Sequence, residues 1–133
     1  MDQEKICLKC GKEKARREFH QTKEGKPILY TEFCRSCVNW LSVKVRYHNK
    51  RAIEAGAIGD LTLAQWLDIL WQSQGHCHYC HAHVGYKLLI LEHIIPLSKS
   101  GTTTCHNIVP ACQRCNIGKR TRKVEQWLKE LGV

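Results

Sequence analysis

The sequence predicts a small α+β fold: a β-hairpin and the helix that follows it, held between metal-binding turns, with another such unit and flanking helices ahead of them. Three observations predict it. Eight of the nine cysteines fall in four Cys-x-x-Cys pairs, Cys7/Cys10, Cys34/Cys37, Cys77/Cys80 and Cys112/Cys115, and Cys105 is left over. Lys87 to Ile95 is rich in branched apolar residues and gives way to a polar turn, Ser98 to Thr104, and then to Asn107-Ile108-Val109-Pro110. Elsewhere, apolar residues recur at helical spacing. At 133 residues the chain suffices for one ordinary domain or two very small ones sharing a core.

The elements follow in chain order. Residues 1–37 are expected to form a zinc ribbon or knuckle unit, with Phe19 and Tyr30 as apolar anchors between its two cysteine pairs. A unit this small buries too little to fold unaided, so metal binding should supply part of its folding free energy. Residues 38–54 read as a helix with Val38, Leu41, Val45 and Ala52 on one stripe, ended by Gly56 to Asp60. Thr62 and Gln65 form a capping-box pattern that opens a second helix to about Ser73, with Gly75 as a stop. Lys87 to Ile95 is the first hairpin strand, Asn107 to Pro110 the return strand, and a basic helix runs through Lys119. From Thr121, Val124, Trp127, Leu128 and Leu131 make a final helical stripe. The divisions expected are 1–37, 38–75 for linking helices, 76–120 for the ββα core and 121–133 for the C-terminal helix.

Two residues between cysteines let both sulfurs reach one tetrahedral ion from a tight turn, and four thiolates close a structural zinc shell. Pairing in chain order puts Cys7, Cys10, Cys34 and Cys37 around one Zn²⁺ and Cys77, Cys80, Cys112 and Cys115 around another. A redox motif is normally a single pair in a βαβ setting, not four pairs. Spacing alone also admits iron in a rubredoxin-like site, a poor match for so basic a chain.

Lys and Arg number 21 against 12 acids, for a net charge of +9, and the excess is clustered. Phe33 to Ile53 holds Arg35, Lys44, Arg46, Lys50 and Arg51 with no acid, and Ala111 to Val124 holds Arg114, Lys119, Arg120, Arg122 and Lys123 with none. Such clusters are the footprint of a phosphate-backbone binder, or simply a solvated basic surface. The longest apolar run is too short to cross a bilayer, and the first residues lack the apolar stretch of a secretory signal. A cytoplasmic protein without membrane partners is expected.

Glu92-His93-Ile94-Ile95-Pro96-Leu97, Gly101, Asn107-Ile108-Val109-Pro110, Cys112-x-x-Cys115-Asn116 and Lys119 together resemble the HNH endonuclease family, whose fold is the ββα-metal unit. The resemblance covers roughly residues 77 to 120, and the whole chain looks like the compact two-zinc enzymes among restriction and phage endonucleases. It implies phosphodiester hydrolysis with His93 as general base, Glu92 and Asn116 as oxygen ligands to one Mg²⁺ or Mn²⁺, and Asn107 holding His93 or the loop by hydrogen bonds. In an ideal strand Glu92 and His93 point to opposite faces, so the strand end should twist or bulge. Glu92 stands where Asp is frequent and Asn116 where the last His often stands, giving an H-N-N variant for which a hard metal is expected.

Double-stranded DNA is the implied partner, with Arg114, Lys119, Arg120, Lys44, Arg46, Lys50 and Arg51 as candidate contacts, and the resemblance places the protein in a bacterial or phage-infected cell. Core packing is expected for Trp40. His76, His78, His81, His83, His106 and Cys105 receive no catalytic role. Sequence-specific cutting by a homodimer is favoured; a monomeric nickase, a structure-specific nuclease and a noncatalytic zinc-ribbon DNA-binding regulator stay open.

Overall fold

The computed structural model describes residues 3–22, 24–119 and 124–132. A short hairpin, β1 (Glu4–Ile6) and β2 (Glu13–Ala15), carries the first cysteine turn between its strands, with Glu4 opposite Ala15 and Ile6 opposite Glu13. A five-residue helix, α1 (Ile28–Glu32), follows Pro27, whose fixed φ suits a helix start. Sequence patterning did not foresee it, since one turn is too short to show a period.

The long helix α2 (Arg35–Glu54) begins three residues earlier than its apolar stripe suggests, because Cys34 is its N-cap and Cys37 lies in its first turn. The second cysteine turn is itself a helix start, where unpaired backbone N–H groups and the helix dipole favour thiolate charge. Val38, Leu41, Val45 and Ala52 are buried on one face, as the stripe predicts. Trp40 departs from expectation: it lies off that stripe and is 52% exposed.

Helix α3 (Leu63–Ser73) has the capping box that its sequence announces. Gln65 N donates to Thr62 Oγ1 and Thr62 N donates to Gln65 Oε1, each at 3.0 Å. Gln74, rather than Gly75, is the left-handed C-cap. Trp66, Leu67 and Leu70 are buried and pack α3 between α2 and the C-terminal half.

The second hairpin pairs β3 (Ile90–His93) with β4 (Ile108–Ala111), Glu92 opposite Val109 and His93 opposite Ile108. The first strand is shorter than the apolar run 87–95: Tyr86–Leu88 is a single 3-10 turn, and Pro96 and a second such turn, Leu97–Lys99, redirect the chain after Ile95. Helix α4 (Gln113–Lys119) follows directly after Cys112, repeating the arrangement at α2, and α5 (Val124–Leu131) packs on α4. Trp127 covers Gly118, where a Cβ would collide with the indole ring.

One buried core runs from Cys7, Phe19 and Phe33 through Leu41 and Val45 of α2 and Trp66 and Leu70 of α3 to Leu91 and Ile108 of the second hairpin. A smaller one gathers Cys77, Tyr79, Val109, Cys112, Cys115 and Trp127. No helix among the described residues is long and apolar enough to cross a membrane.

Candidate active site and cysteine clusters

The four cysteine pairs converge in chain order into two groups: Cys7, Cys10, Cys34 and Cys37, and Cys77, Cys80, Cys112 and Cys115. In each group the four sulfurs lie within 4.8 Å of one another. Cys7 Sγ to Cys37 Sγ and Cys80 Sγ to Cys112 Sγ are both 3.8 Å, near the ~3.8 Å edge of a tetrahedron with ~2.3 Å Zn–S bonds. All nine cysteines are free. Backbone N–H groups of Lys9, Cys10 and Cys34 point at Cys7 Sγ, and that of Cys112 at Cys77 Sγ. Burial pushes the Cys77 thiol up, yet the amides of Cys112, Cys80 and Tyr79 outweigh it and bring the group to about 7. Both groups therefore have the donor set, spacing and electrostatics to hold Zn²⁺.

The second cluster ties Cys77 and Cys80 to the far end of β4 and the start of α4, and this frames a cleft of about 410 Å³. Glu92, His93 and Asn116 all line it, so the structure brings together the candidate base and the two candidate metal ligands. Glu92 and His93 share the cleft despite their alternation along β3. The Glu92 side chain folds back so that its Oε1 accepts from His93 N at 2.8 Å. Its Oε2 is buried and has no hydrogen-bond partner among the described residues. A buried carboxylate oxygen left unpaired is costly, and a divalent cation between Glu92 and Asn116 would satisfy it; the oxygen donors suit a hard ion. Burial pushes the Glu92 carboxyl up, and the ammonium of Lys119 pulls it back down.

His93 is 8% exposed and its Nε2 lies 2.8 Å from Thr103 Oγ1. A Thr103 hydroxyl whose single proton goes to the His48 carbonyl at 3.2 Å accepts from His93. This places the ring proton on Nε2 and the lone pair on Nδ1. Burial, followed by the charges of His48, Arg51 and Lys119, brings His93 down to about 4, leaving the imidazole neutral and its Nδ1 proton-free at neutral pH, though a weaker base than a free one.

Asn107 resolves the choice between holding His93 and holding the loop: it holds the loop. Its Oδ1 accepts from Ile95 N at 2.8 Å, and its Nδ2 donates to Ile95 O at 2.9 Å and Thr102 O at 2.8 Å. The turn it closes is tight enough that a Cβ on Gly101 would overlap the Ile95 carbonyl.

Lys119 corrects the sequence-based expectation of a DNA contact. It is wholly buried and donates to His93 O at 2.9 Å, bracing β3 from behind the cleft. Of the other candidate contacts, Lys44, Arg46, Lys50, Arg51 and Arg114 are exposed, and Lys50 reaches Glu54 at 3.8 Å. Arg120 lies outside the described residues. Sequence reasoning missed His48 altogether. It lines the cleft with Arg51, its ring centroid is 5.6 Å from that of His93, and burial and then Arg51 and Lys44 bring it down to about 4. Both residues come from α2, remote in sequence from the hairpin, and the only prior hint was the stripe that fixes which side of α2 faces inward. Thr103 was missed for the same reason: its backbone is stitched to Ile58, Asp60 and Leu61 after α2. A separate cleft of about 440 Å³ is lined by His76, His78 and His81 and has no acidic or cationic partner for them in its wall.

Residues 77–131 match the profile of a known family described as HNH endonuclease. The chain is also 32% identical over 68 residues to the CRISPR-associated endonuclease Cas9 of Actinomyces naeslundii, and 30% identical over 71 residues to that of Corynebacterium diphtheriae. These alignments cover 50% and 48% of this chain but 6% of each relative, so the likeness concerns one segment of much longer proteins.

Proposed function

We propose, from the match of residues 77–131 to the HNH endonuclease family, that the protein is a metal-dependent DNA endonuclease in which His93 activates the attacking water. The observation that carries this reading is the Thr103 relay, which turns the proton-free Nδ1 of a neutral His93 into the base of a cleft shared with an unsatisfied Glu92 carboxylate. Glu92 and Asn116 would hold one Mg²⁺ or Mn²⁺, which supplies Lewis-acid stabilisation of the scissile phosphate and leaving oxygen.

The chain's own residues supply the rest. His93 Nδ1 takes a proton from water, and Nε2–H stays on Thr103, which fixes the ring plane throughout. The Lys119 ammonium, held behind β3, opposes part of the rise that burial imposes on the Glu92 carboxyl. Arg51 at the cleft mouth is placed to hold a phosphate oxygen, and Asn107 keeps the turn after His93 from shifting. One cleft of this kind cuts one strand. Cutting of both strands at a defined sequence by a homodimer accords with the exposed cations on α2 and is testable by sequencing the ends produced from a DNA library.

Supercoiled plasmid incubated with the zinc-loaded protein should be nicked or linearised in Mg²⁺ or Mn²⁺ and not in EDTA. His93→Ala should lower the rate by about 10²–10⁴-fold, the usual contribution of a general base, while zinc content and DNA affinity hold. DNA binding without cutting in either metal would instead identify a noncatalytic zinc-bearing DNA-binding protein.

A further inference from the structure

A smaller cavity of about 190 Å³ adjoins the catalytic cleft, and the two share a wall made by His48, Ile90 and Leu91. Its floor is apolar, with Trp66 and Leu89, and its rim carries Trp40, Lys44 and Lys87. Trp40 is the unusual member. Trp66 and Trp127 are 1% and 8% exposed, whereas Trp40 presents half its surface to solvent, with Lys9 Nζ 4.5 Å and Lys44 Nζ 5.1 Å from its ring centroid. About two turns further along α2, Tyr47 is 54% exposed and lies 5.8 Å from the Arg51 guanidinium.

Aromatic faces interleaved with cations are the surface that single-stranded nucleic acid uses: rings stack on bases and cations follow the phosphates. The stretch from Phe33 to Ile53 contains no acid to oppose that charge. An apolar floor beside an exposed indole suits one planar heterocycle, and the shared wall puts that heterocycle next to the phosphate in the catalytic cleft. A base inside a paired duplex cannot enter; it must first leave the stack.

We infer that this cavity is a nucleobase site, in which Trp40 stacks on one extruded or unpaired base of the strand being cut, beside the scissile phosphate. The inference rests on the DNA-cleaving reading and adds a substrate class: DNA whose nucleotide at the cut is unpaired or readily flipped. Unpairing a base costs a few kcal/mol, so DNA that is already unpaired there binds more tightly.

The test uses the full zinc-loaded chain, without added Mg²⁺, and duplexes carrying 2-aminopurine either paired or in a one-nucleotide bulge, its position scanned along the strand. Bulged DNA should bind roughly tenfold more tightly than paired DNA, the scale of one base–aromatic stack, and 2-aminopurine emission should be quenched at one position. Trp40→Ala should abolish the quenching and bring the affinity ratio toward one; Trp40→Phe should keep most of both. Equal affinity for paired and bulged DNA, or quenching that survives Trp40→Ala, overturns the inference. If either occurs while plasmid is still cut in Mg²⁺, the nuclease reading stands without this site; if no DNA is bound or cut, both fall.

Discussion

At the scale of single residues, the site is a set of polar groups kept in unfavourable company so that one nitrogen stays unprotonated. His93 and His48 sit close together, each at about 4 because burial and neighbouring cations resist protonation. For such a histidine the folded state binds fewer protons than the unfolded chain between pH 6.5 and 4, so its contribution to stability is complete above 6.5 and fades as pH falls through that window. The acid limb of the cleavage rate should accordingly lie well below 6.5, toward about 4, when measured with zinc retention followed in parallel. A limb centred at 6.5 would remove His93, as placed, from the role of base. Glu92, His93, Asn107 and Asn116 were legible because they fall in one short stretch whose spacing carries their geometry. His48 and Thr103 were not, and Arg51 was read only as a DNA contact, since only the docking of α2 against the hairpin loop puts them at the cleft. Lys119 was misread because a lysine in a basic helix looks like surface until the fold shows what lies beneath it.

Among elements, the signals that survived translation into structure were the local chemical ones. The Thr62/Gln65 capping box is present as written, and Thr62→Ala should cost about 1 kcal/mol, read as a lowered urea midpoint with an unchanged slope. No such signal marks the limits of β3: branched residues continue on both sides of it, and the strand ends where the 3-10 turns on either side take the backbone away. The stripe on α2 identified its buried face but could not say that the cysteine turn ahead of it is part of the helix. That follows from thiolate chemistry, because Cys34 and Cys112 each present a sulfur and begin a helix at once. Trp40 falls outside the stripe, and its exposure makes sense only next to the cavity it borders.

Over the whole molecule, charge and metal are distributed differently. The first cysteine cluster contributes Cys7 and Cys34 to the larger core and the second contributes Cys77, Cys112 and Cys115 to the smaller one, and elemental analysis should find two Zn²⁺ per chain. The exposed cations Lys44, Arg46 and Lys50 lie along α2, leading toward Arg51 at the cleft. If they follow a phosphate backbone, replacing Lys44 and Arg46 by Ala should flatten the dependence of log K on log salt by about 0.9 per lost duplex contact. An unchanged slope in titrations from 50 to 200 mM salt would place the DNA elsewhere.

The cleft is assembled from two parts of the chain: Glu92, His93 and Asn116 lie within 90–119, but His48 and Arg51 come from α2, ahead of the segment that matches the family model. The matched segment therefore does not contain the whole cleft. Taken alone it keeps Glu92, His93 and Asn116 but loses the His48 carbonyl that Thr103 bonds and the Arg51 guanidinium beside it, so α2 is as much a part of the site as the hairpin.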